Sequence, residues 1–282
     1  MNAETFSGLW YINEPFARRM ESIMIPRLVA GLDPIPAQFK PNSTINIFDE
    51  DGDFNPVKYR LGQYLKAGGG DVAVLPLTGS MSRFGLCGEG NEFLSQVLEQ
   101  AAVEKSVKAI VIKGHTPGGT VDSVEMLADT IKNFPKPIVG YVAGMVASAG
   151  VFAMSQCDSI VMEDAVMSEI GSIGVLQVYV NQQAALEKAG IDVRIFRAGD
   201  SVDKARVNGI EPLTDELLAE IQADLDACMK TFKGYVRRGR AGKLTGDEIF
   251  TGRMYKKKEA LNFGLVDRLG SLQDAIKVAK KL

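Results

Sequence analysis

One serine lies in a setting that suits a nucleophile. Ser148 stands among small residues in the run GMVASAG (residues 144–150), between a strand-like apolar segment and a helix-like one. A serine at a strand-to-helix turn is the arrangement of an exposed catalytic hydroxyl. Serine is equally a common residue at the N-cap of a helix. The local pattern therefore leaves both roles open.

A pair of glycines could supply the backbone groups that such a nucleophile needs. Residues 117–119 (PGG) follow the apolar run VKAIVIKG and precede a helical pattern. Glycines let the backbone approach a ligand closely and present N–H groups with no side chain in the way. Such groups suit the oxyanion that forms when a carbonyl is attacked, where each donor is worth about 3 kcal/mol of barrier. Pro-Gly-Gly is also a common turn.

The base that would activate a serine must come from a short list. His115 is the one histidine of the chain, so a Ser-His-Asp mechanism has to use it or none. We expect a loop position or a structural role for His115. A lysine is the remaining candidate, and its pKa, ordinarily near 10.4, must fall by about three units, roughly 4 kcal/mol, which desolvation can supply. Lys204 lies in the polar run GDSVDK (199–204), although lysines in loops are usually just exposed.

The composition excludes several classes of function. The chain has 282 residues, a length that suits one large domain or two small ones. Of these residues 46% are hydrophobic and 24% are charged. Lys and Arg number 32 against 35 Asp and Glu, for a net charge of −3. Because no basic excess exists to displace counterions, we do not expect nucleic acid as a partner.

Metal, cofactor and disulfide chemistry are not expected either. The cysteines, Cys87, Cys157 and Cys228, are too few and too scattered for a disulfide framework or a zinc site, which indicates a reducing compartment. The acidic run DEDGD (49–53) has Arg60 where a calcium loop needs a bidentate glutamate. We therefore expect no metal and no cofactor.

The N-terminus predicts neither a signal peptide nor a membrane anchor. Its apolar residues are interrupted by charges at Glu14, Arg18, Arg19 and Glu21. No run of about 18 uncharged apolar residues occurs anywhere, so no membrane span is expected. These features predict a soluble, cytoplasmic protein.

The elements that must position these residues begin at about residue 67. Residues 1–66 are rich in proline and acidic residues and are interpreted as an N-terminal arm, and residues 67–282 as the main domain. Strands are predicted within 67–81, 107–114, 137–144, 159–164 and 192–199, and helices at 92–104, 123–134, 148–156, 182–190 and 214–240, the last capped by Thr214. Lys256 to Lys258 read as a solvated helix face. Alternating strands and helices predict an α/β fold with parallel pairing and right-handed crossovers.

Taken in order, residues 70 to about 275 resemble the signal peptide peptidase A family of serine proteases, which share the ClpP/crotonase fold. TPGGTVDSVEMLADTI resembles the family's SPGG segment, MVASAGVFAMSQCD its ASGGY segment, EIGSIGV its GSIGV motif, and EIFTGRMYKKKEALNFGLVDRLGSLQDAI its closing segment. The resemblance implies an α/β fold of ClpP/crotonase-like repeated ββα units with a parallel sheet, plus the N-terminal arm.

The resemblance also implies a serine endopeptidase with a Ser-Lys dyad. It places the nucleophile on Ser148, the general base on Lys204, and on Ser172 the hydroxyl that orients the lysine. The lysine segment is the least regular match, because Gly199 and Lys204 are five residues apart where the family has about three. Lys188, on a predicted amphipathic helix, is the fallback.

The oxyanion site follows from the same two segments. The resemblance assigns its donors to the backbone N–H groups of Gly119 and Ala149, with Gly118 providing room. Two positions depart from the family pattern: Ala149 replaces a glycine, and Thr116 stands where the family has serine. Both replacements are small, and a backbone N–H is present at either residue type.

Partners and substrates are implied by the family alone. It implies a ring or other homo-oligomer, in which serine and lysine can come from neighbouring subunits. The lack of a hydrophobic span and the LWYINEP-type arm resemble the phage and prophage branch of capsid assembly proteases, which implies polypeptide substrates such as scaffold, portal or capsid proteins. Residues 80–90 are expected in the substrate groove. The alternatives are a crotonase-type acyl-CoA enzyme, a non-catalytic structural subunit of a capsid, and a signal-peptide or general quality-control peptidase.

Overall fold

The computed structural model describes residues 10–12, 26–27, 30–32, 55–85 and 88–282. Most of the predicted arm lies outside these residues, as do the acidic run 49–53 and Cys87. No helix within the described part of the chain is long and apolar enough to cross a membrane.

Strands and helices alternate along the described chain. The strands are β1 (Trp10–Ile12), β2 (Val72–Thr78), β3 (Ala109–Thr116), β4 (Gly118–Thr120), β5 (Ile138–Ala147), β6 (Ser159–Glu163), β7 (Glu169–Gly171), β8 (Met254–Lys256) and β9 (Arg268–Gly270). The helices are α1 (Pro56–Ala67), α2 (Asn91–Val103), α3 (Val124–Lys132), α4 (Ala149–Met154), α5 (Gln183–Lys188), α6 (Asp215–Gly239), α7 (Lys257–Asn262) and α8 (Leu272–Ala279), with a 3-10 turn at Glu248–Thr251.

A seven-stranded sheet forms the centre of the domain. Strands β2, β3, β5, β6 and β9 lie side by side in that order, and every neighbouring pair among them is parallel. Strand β7 pairs with the far end of β5, also in parallel, and β8 pairs antiparallel with β7. The predicted α/β fold with parallel pairing is confirmed. The sheet brings the carboxyl ends of β3, β5 and β7 to one edge, where the candidate residues lie.

Helices cover both faces of the sheet. Alternate strand residues point to opposite faces, and the two faces carry separate apolar clusters. On one face Ile110 and Ile112 of β3 pack with residues of α1, α2, α3, α4 and α6. On the other face Val111 packs with Ala275 and Ile276 of α8. Burial on both faces explains the nearly continuous apolar strands.

Helix α1 packs on the main domain, although the sequence analysis placed most of it in the arm. Asn55 caps it, because its side-chain oxygen accepts hydrogen bonds from the N–H groups of Val57 and Lys58. Leu61 and Tyr64 are buried in the larger apolar cluster, and the Tyr64 hydroxyl donates to Glu89. The domain boundary predicted at residue 66 stays a prediction, but it would separate α1 from the core that α1 helps to form.

The long helix α6 begins where the sequence predicts. Thr214 is its N-cap, and the hydroxyl oxygen of Thr214 accepts a hydrogen bond from the N–H of Leu217 at 3.2 Å. Lys256 ends strand β8, while Lys257 and Lys258 open helix α7, so the lysine run is only partly a helix face.

A buried ion pair ties the end of α6 to the closing segment. Arg240, only 1% exposed, donates to both carboxylate oxygens of Asp267 at 2.9 and 3.0 Å and to the carbonyl of Gly264. Asp267 also accepts the N–H of Ile160 in β6. Burial disfavours the charged carboxylate, but the hydrogen bonds from Arg240 and Lys243 outweigh it and lower the pKa of Asp267 to about 2.

Residues 174–216, named here the surface segment, contribute no buried residue to the domain. Phe196 is 88% exposed and Val202 67%. The strand predicted at 192–199 is wrong for the single chain, because no strand pairing is found there. A strand needs a neighbour for its N–H and C=O groups, and within the described chain no other strand lies beside this segment.

Candidate active site

Ser148 occupies a strained turn between β5 and α4. Its φ and ψ are 54° and −116°, a region that residues with a Cβ rarely adopt. The N–H of Ser148 donates to the carbonyl of Gly171 at 2.8 Å, which helps to hold the turn. Strain of this kind costs about 1–3 kcal/mol and clusters at functional sites.

The side chain of Ser148 does not cap the helix that follows it. The hydroxyl oxygen of Ser148 accepts no capping hydrogen bond from the N–H groups at the start of α4. The hydroxyl donates instead to the carbonyl of Gly174 at 3.4 Å, a long bond. Of the two roles that the sequence left open, the structure does not support the cap, and the hydroxyl is held only weakly.

Ser172 lies beside Ser148 because of the strand register. Strands β5 and β7 are parallel with Ala147 opposite Gly171, so the two serines are the next residues of neighbouring strands, which lie about 4.8 Å apart. Ser172 also has a φ of 54°, and its N–H donates to the carbonyl of Arg253 at 2.9 Å. The two serines therefore occupy matching positions on neighbouring strands and share a positive φ.

The glycine pair forms the short strand β4 after a turn held by Thr116. The Thr116 hydroxyl donates to the carbonyl of Gly79 at 2.6 Å and accepts the N–H of Gly118 at 3.1 Å. Gly118 has a φ of 98°, which favours glycine. Because the N–H of Gly118 is engaged in this turn, the structure leaves Gly118 the role of providing room rather than of a donor.

Gly119 is required by close packing on one side of β4. A Cβ at Gly119 would lie 1.8 Å from the carbonyl oxygen of Met81. Met81 bonds the residues on either side: its N–H donates to Gly118 at 2.8 Å, and its carbonyl accepts the N–H of Thr120 at 3.0 Å. Since N–H and C=O groups alternate between the two edges of a strand, the N–H of Gly119 points to the other edge.

Helix α4 packs against β4 and brings the second oxyanion candidate to the first. A Cβ at Gly150 would lie 2.4 Å from the methyl group of Thr116, so this glycine permits the close approach. Ala149 is the first residue of α4, and N–H groups in the first turn of a helix have no acceptor within it. The structure thus places Ala149, Gly118, Gly119, Ser148 and Ser172 in one neighbourhood.

His115 has a structural contact rather than a catalytic one. It lies within β3, and its Nδ1 is 2.6 Å from the carbonyl oxygen of Ala143 on β5. Nδ1–H donating to this carbonyl ties the two strands together at the register shift between Gly114 and Thr116. Among the described residues, no hydrogen bond joins His115 to Ser148.

Neither candidate lysine touches the serines within one chain. Lys204 is exposed on the surface segment, and within the described residues its ammonium makes no hydrogen bond or ion pair. Lys188 is the last residue of α5 and is also exposed. The dyad of Ser148 and Lys204 therefore stays a prediction.

The Lys204 loop is held by side chains that the sequence pattern does not point to. The guanidinium of Arg197 donates to the carbonyl of Lys204 at 2.7 Å and of Ala205 at 3.1 Å, and it pairs with Glu211 at 2.6 Å. Asn208 also donates to Glu211. The Arg197 hydrogen bond is the main cause that lowers the pKa of the Glu211 carboxyl. No sequence motif indicates the pair of Arg197 and Glu211, because the two residues are fourteen positions apart in a polar segment.

A serine on a strained strand-to-helix turn, beside backbone amides of a glycine-rich strand, is the arrangement of a serine hydrolase. The comparison with family models gives the class more closely. The chain belongs to Peptidase family S49, whose model matches residues 131–282, and the Clp protease family model matches residues 90–163.

Individual relatives agree with this assignment. Capsid assembly protease C of Escherichia phage lambda is 31% identical over 222 residues, which cover 74% of this chain and 48% of that protein. Protease 4 of Haemophilus influenzae is 24% identical, over 68% of this chain and 31% of its own length. Protease 4 of Salmonella typhi is 26% identical, over 76% of this chain and 35% of its own length. The chain thus spans a third to a half of the length of these relatives. Among solved structures, a ClpP1 mutant from Listeria monocytogenes is 16% identical with a TM-score of 0.46, over 77% of this chain and 99% of that one.

Proposed function

We propose that the protein is a serine endopeptidase in which Ser148 and Lys204 form a Ser-Lys dyad. The observation that carries the proposal is the backbone of Ser148, held at a φ of 54° between Gly171 and α4 and next to the glycine strand. Membership of Peptidase family S49 supports the reaction class. Membership of this family also argues against the alternative of a crotonase-type acyl-CoA enzyme.

In the proposed reaction the neutral amine of Lys204 takes the proton of the Ser148 hydroxyl as the oxygen attacks the peptide carbonyl. The N–H groups of Gly119 and Ala149 stabilise the tetrahedral oxyanion. The intermediate then expels the amine of the leaving peptide, which takes the proton from Lys204. Water, deprotonated by Lys204, hydrolyses the acyl-enzyme on Ser148. The hydroxyl of Ser172 orients the lysine by hydrogen bonding.

Lys204 is proposed to come from a neighbouring copy of the chain. Desolvation makes a lysine neutral near pH 7, but Lys204 is exposed in the single chain. The surface segment that carries Lys204 also exposes apolar residues, Phe196 and Val202 above all. Exposed apolar surface of this kind marks an interaction site. A homo-oligomer that buries the surface segment would desolvate Lys204 and supply the strand partner that residues 192–199 lack.

The proposed substrates are polypeptides of a phage head, such as scaffold, portal or capsid proteins. The support is capsid assembly protease C of phage lambda, to which this chain is 31% identical over 222 residues. The bacterial relatives named Protease 4 keep a bacterial peptidase with other substrates as the second candidate. A non-catalytic capsid subunit is the remaining alternative, and it predicts no reaction at Ser148.

Labelling with a fluorophosphonate probe tests the dyad. We expect the parent protein to be labelled at Ser148, as located by mass spectrometry, and both Ser148→Ala and Lys204→Ala to lose labelling. Lys188→Ala is the matched control, since Lys188 is an exposed lysine of the same segment, and it should be labelled like the parent. If the folded parent is not labelled, or Lys204→Ala is labelled like the parent, the proposed mechanism is wrong.

Mixing the two inactive variants tests the arrangement between copies. If Lys204 acts on a neighbour, hetero-oligomers of Ser148→Ala and Lys204→Ala contain pairs in which both groups are intact, and peptidase activity should return. A dyad within one chain gives no activity in the mixture. Subunit exchange is checked beforehand by native mass spectrometry with one variant isotopically labelled.

A further inference from the structure

The N-terminal strand β1 lies along the glycine strand of the candidate site. The pairing of β1 with β4 is antiparallel, with Trp10 opposite Thr120, Tyr11 opposite Gly119 and Ile12 opposite Gly118. The chain thus places three of its own residues in extended conformation beside the strand that carries a proposed oxyanion donor.

The pairing engages the edge of β4 that the proposed reaction needs. Met81 occupies one edge of β4 through its hydrogen bonds to Gly118 and Thr120. The N–H and C=O groups of Gly119 therefore face the other edge, where Tyr11 lies directly opposite. The backbone carbonyl of Tyr11 is the acceptor presented to the N–H of Gly119, so this N–H is not free to stabilise an oxyanion while β1 is bound.

A peptide substrate would need the same edge. Extended peptides bind to an exposed strand by adding a strand to it, with main-chain hydrogen bonds providing affinity. With Met81 on one side, the side facing Tyr11 is the one at which such a peptide can pair with Gly119. In addition, Ser148 has no exposed surface in the folded chain, so a segment must move before a substrate reaches it.

We propose that β1 is an internal competitor that occupies the peptide-binding edge of β4 and keeps the peptidase inhibited until it is displaced. The inference rests on the proposed function, since it assigns the blocked N–H of Gly119 to the oxyanion site. Because β1 belongs to the same chain, it competes with a free substrate as an intramolecular ligand, and its effective concentration adds to its affinity for β4. The displacing ligand is an extended peptide that runs antiparallel to β4.

The register also predicts a rule for such peptides. The residue opposite Gly119 must offer both a carbonyl and an N–H to Gly119, as Tyr11 does. Proline has no N–H, so we infer that peptides with proline at this position bind poorly. The neighbouring positions, which correspond to Trp10 and Ile12, direct their backbone groups away from β4 and tolerate proline better.

A pair of proline variants tests the competition. Tyr11→Pro removes the N–H that faces Gly119, and Ile12→Pro is the control because the N–H of residue 12 points away from β4. We expect the rate of fluorophosphonate labelling at Ser148 and the kcat/KM for an unstructured peptide to rise about fivefold or more in Tyr11→Pro, by analogy with the loss of one hydrogen bond. Ile12→Pro should behave like the parent.

Hydrogen exchange read by mass spectrometry gives a second measurement that does not depend on activity. In the parent the amide of Gly119 should be protected, and in Tyr11→Pro it should exchange at least about fivefold faster. The amides of Gly118 and Thr120 bond to Thr116 and Met81 and should not change.

The outcomes separate this inference from the proposed function. Labelling of Ser148 at equal rates in both variants and the parent, with unchanged exchange at Gly119, would overturn the inhibition by β1 and leave the peptidase intact. Faster exchange at Gly119 with no labelling of Ser148 in any variant would confirm that β1 occupies the edge but would overturn the proposed reaction, and with it the inhibition.

Discussion

Replacing Gly119 by alanine is predicted to damage both the stability of the fold and the reactivity of Ser148. The added Cβ would lie 1.8 Å from the carbonyl oxygen of Met81, 2.5 Å from its carbonyl carbon and 2.6 Å from its nitrogen. All three are backbone atoms, so no side-chain rotation relieves the overlap, and the Met81 segment must move away from β4.

The magnitude follows from the bonds that this movement breaks. Met81 makes two backbone hydrogen bonds to β4, at 2.8 and 3.0 Å, and each is worth about 1 kcal/mol net. We therefore expect Gly119→Ala to lower the free energy of unfolding by at least about 2 kcal/mol. Because the N–H of Gly119 is displaced with the strand, the rate of labelling at Ser148 should fall about 100- to 1000-fold, the usual loss of one oxyanion donor.

The assay combines urea denaturation, followed by circular dichroism, with the rate of fluorophosphonate labelling. Gly234→Ala is the matched control, because Gly234 lies inside α6 and a Cβ there meets no atom within 4 Å. This control should be as reactive as the parent and more stable by about 0.5–1 kcal/mol, since alanine favours a helix over glycine. A Gly119→Ala protein that unfolds and reacts like the parent would refute the close packing of β4 on Met81 and the role of its amide.

Three further predictions concern other parts of the structure. Asp267→Asn leaves the buried charge of Arg240 without its partner and should destabilise the fold by about 3–5 kcal/mol in urea denaturation; unchanged stability would contradict the buried pair. The pKa of Asp267 is lowered from 3.8 to about 2. The contribution of Asp267 to the free energy of unfolding is therefore complete above pH 4 and is lost as the pH falls toward 2. Unfolding measured as a function of pH should show a loss of roughly 2 kcal/mol over this range. Asp267→Asn should remove this part of the pH dependence, and an identical slope in the variant would exclude Asp267 as its source. Arg197→Ala should loosen the Lys204 loop and reduce peptidase kcat at least tenfold, with little change in the unfolding midpoint. Arg194→Ala removes an exposed arginine of the same segment and serves as the control. Equal kcat in the two variants would show that Arg197 does not position Lys204.

Several local features could be predicted from the sequence because they depend on neighbouring residues. Apolar runs bounded by glycines identify strands such as β2 and β3, and Thr214 before an acidic turn predicts the start of α6. The small residues around Ser148 predict a turn between a strand and a helix, and the structure has that turn. These predictions depend on periodicity and capping, which act over a few residues.

Other features could not be predicted, because they depend on pairing between distant segments. Periodicity at 192–199 indicates a strand, but a strand forms only when another segment satisfies its backbone, and the described chain offers none there. The ion pair of Arg197 with Glu211 behind the Lys204 loop has no local signal. The pairing of β1 with β4 joins segments more than a hundred residues apart, and neither carries a mark of it.

The sequence by itself determined the order of strands and helices, the turn at Ser148 and the family resemblance, because these depend on residue types in local order. Only the tertiary structure decided which groups are neighbours. The register of β5 on β7 places Ser172 beside Ser148, and Met81 decides which edge of Gly119 remains for a peptide. The physical reason is that backbone hydrogen bonds select partners across the sheet, and this selection depends on how all the strands pack together.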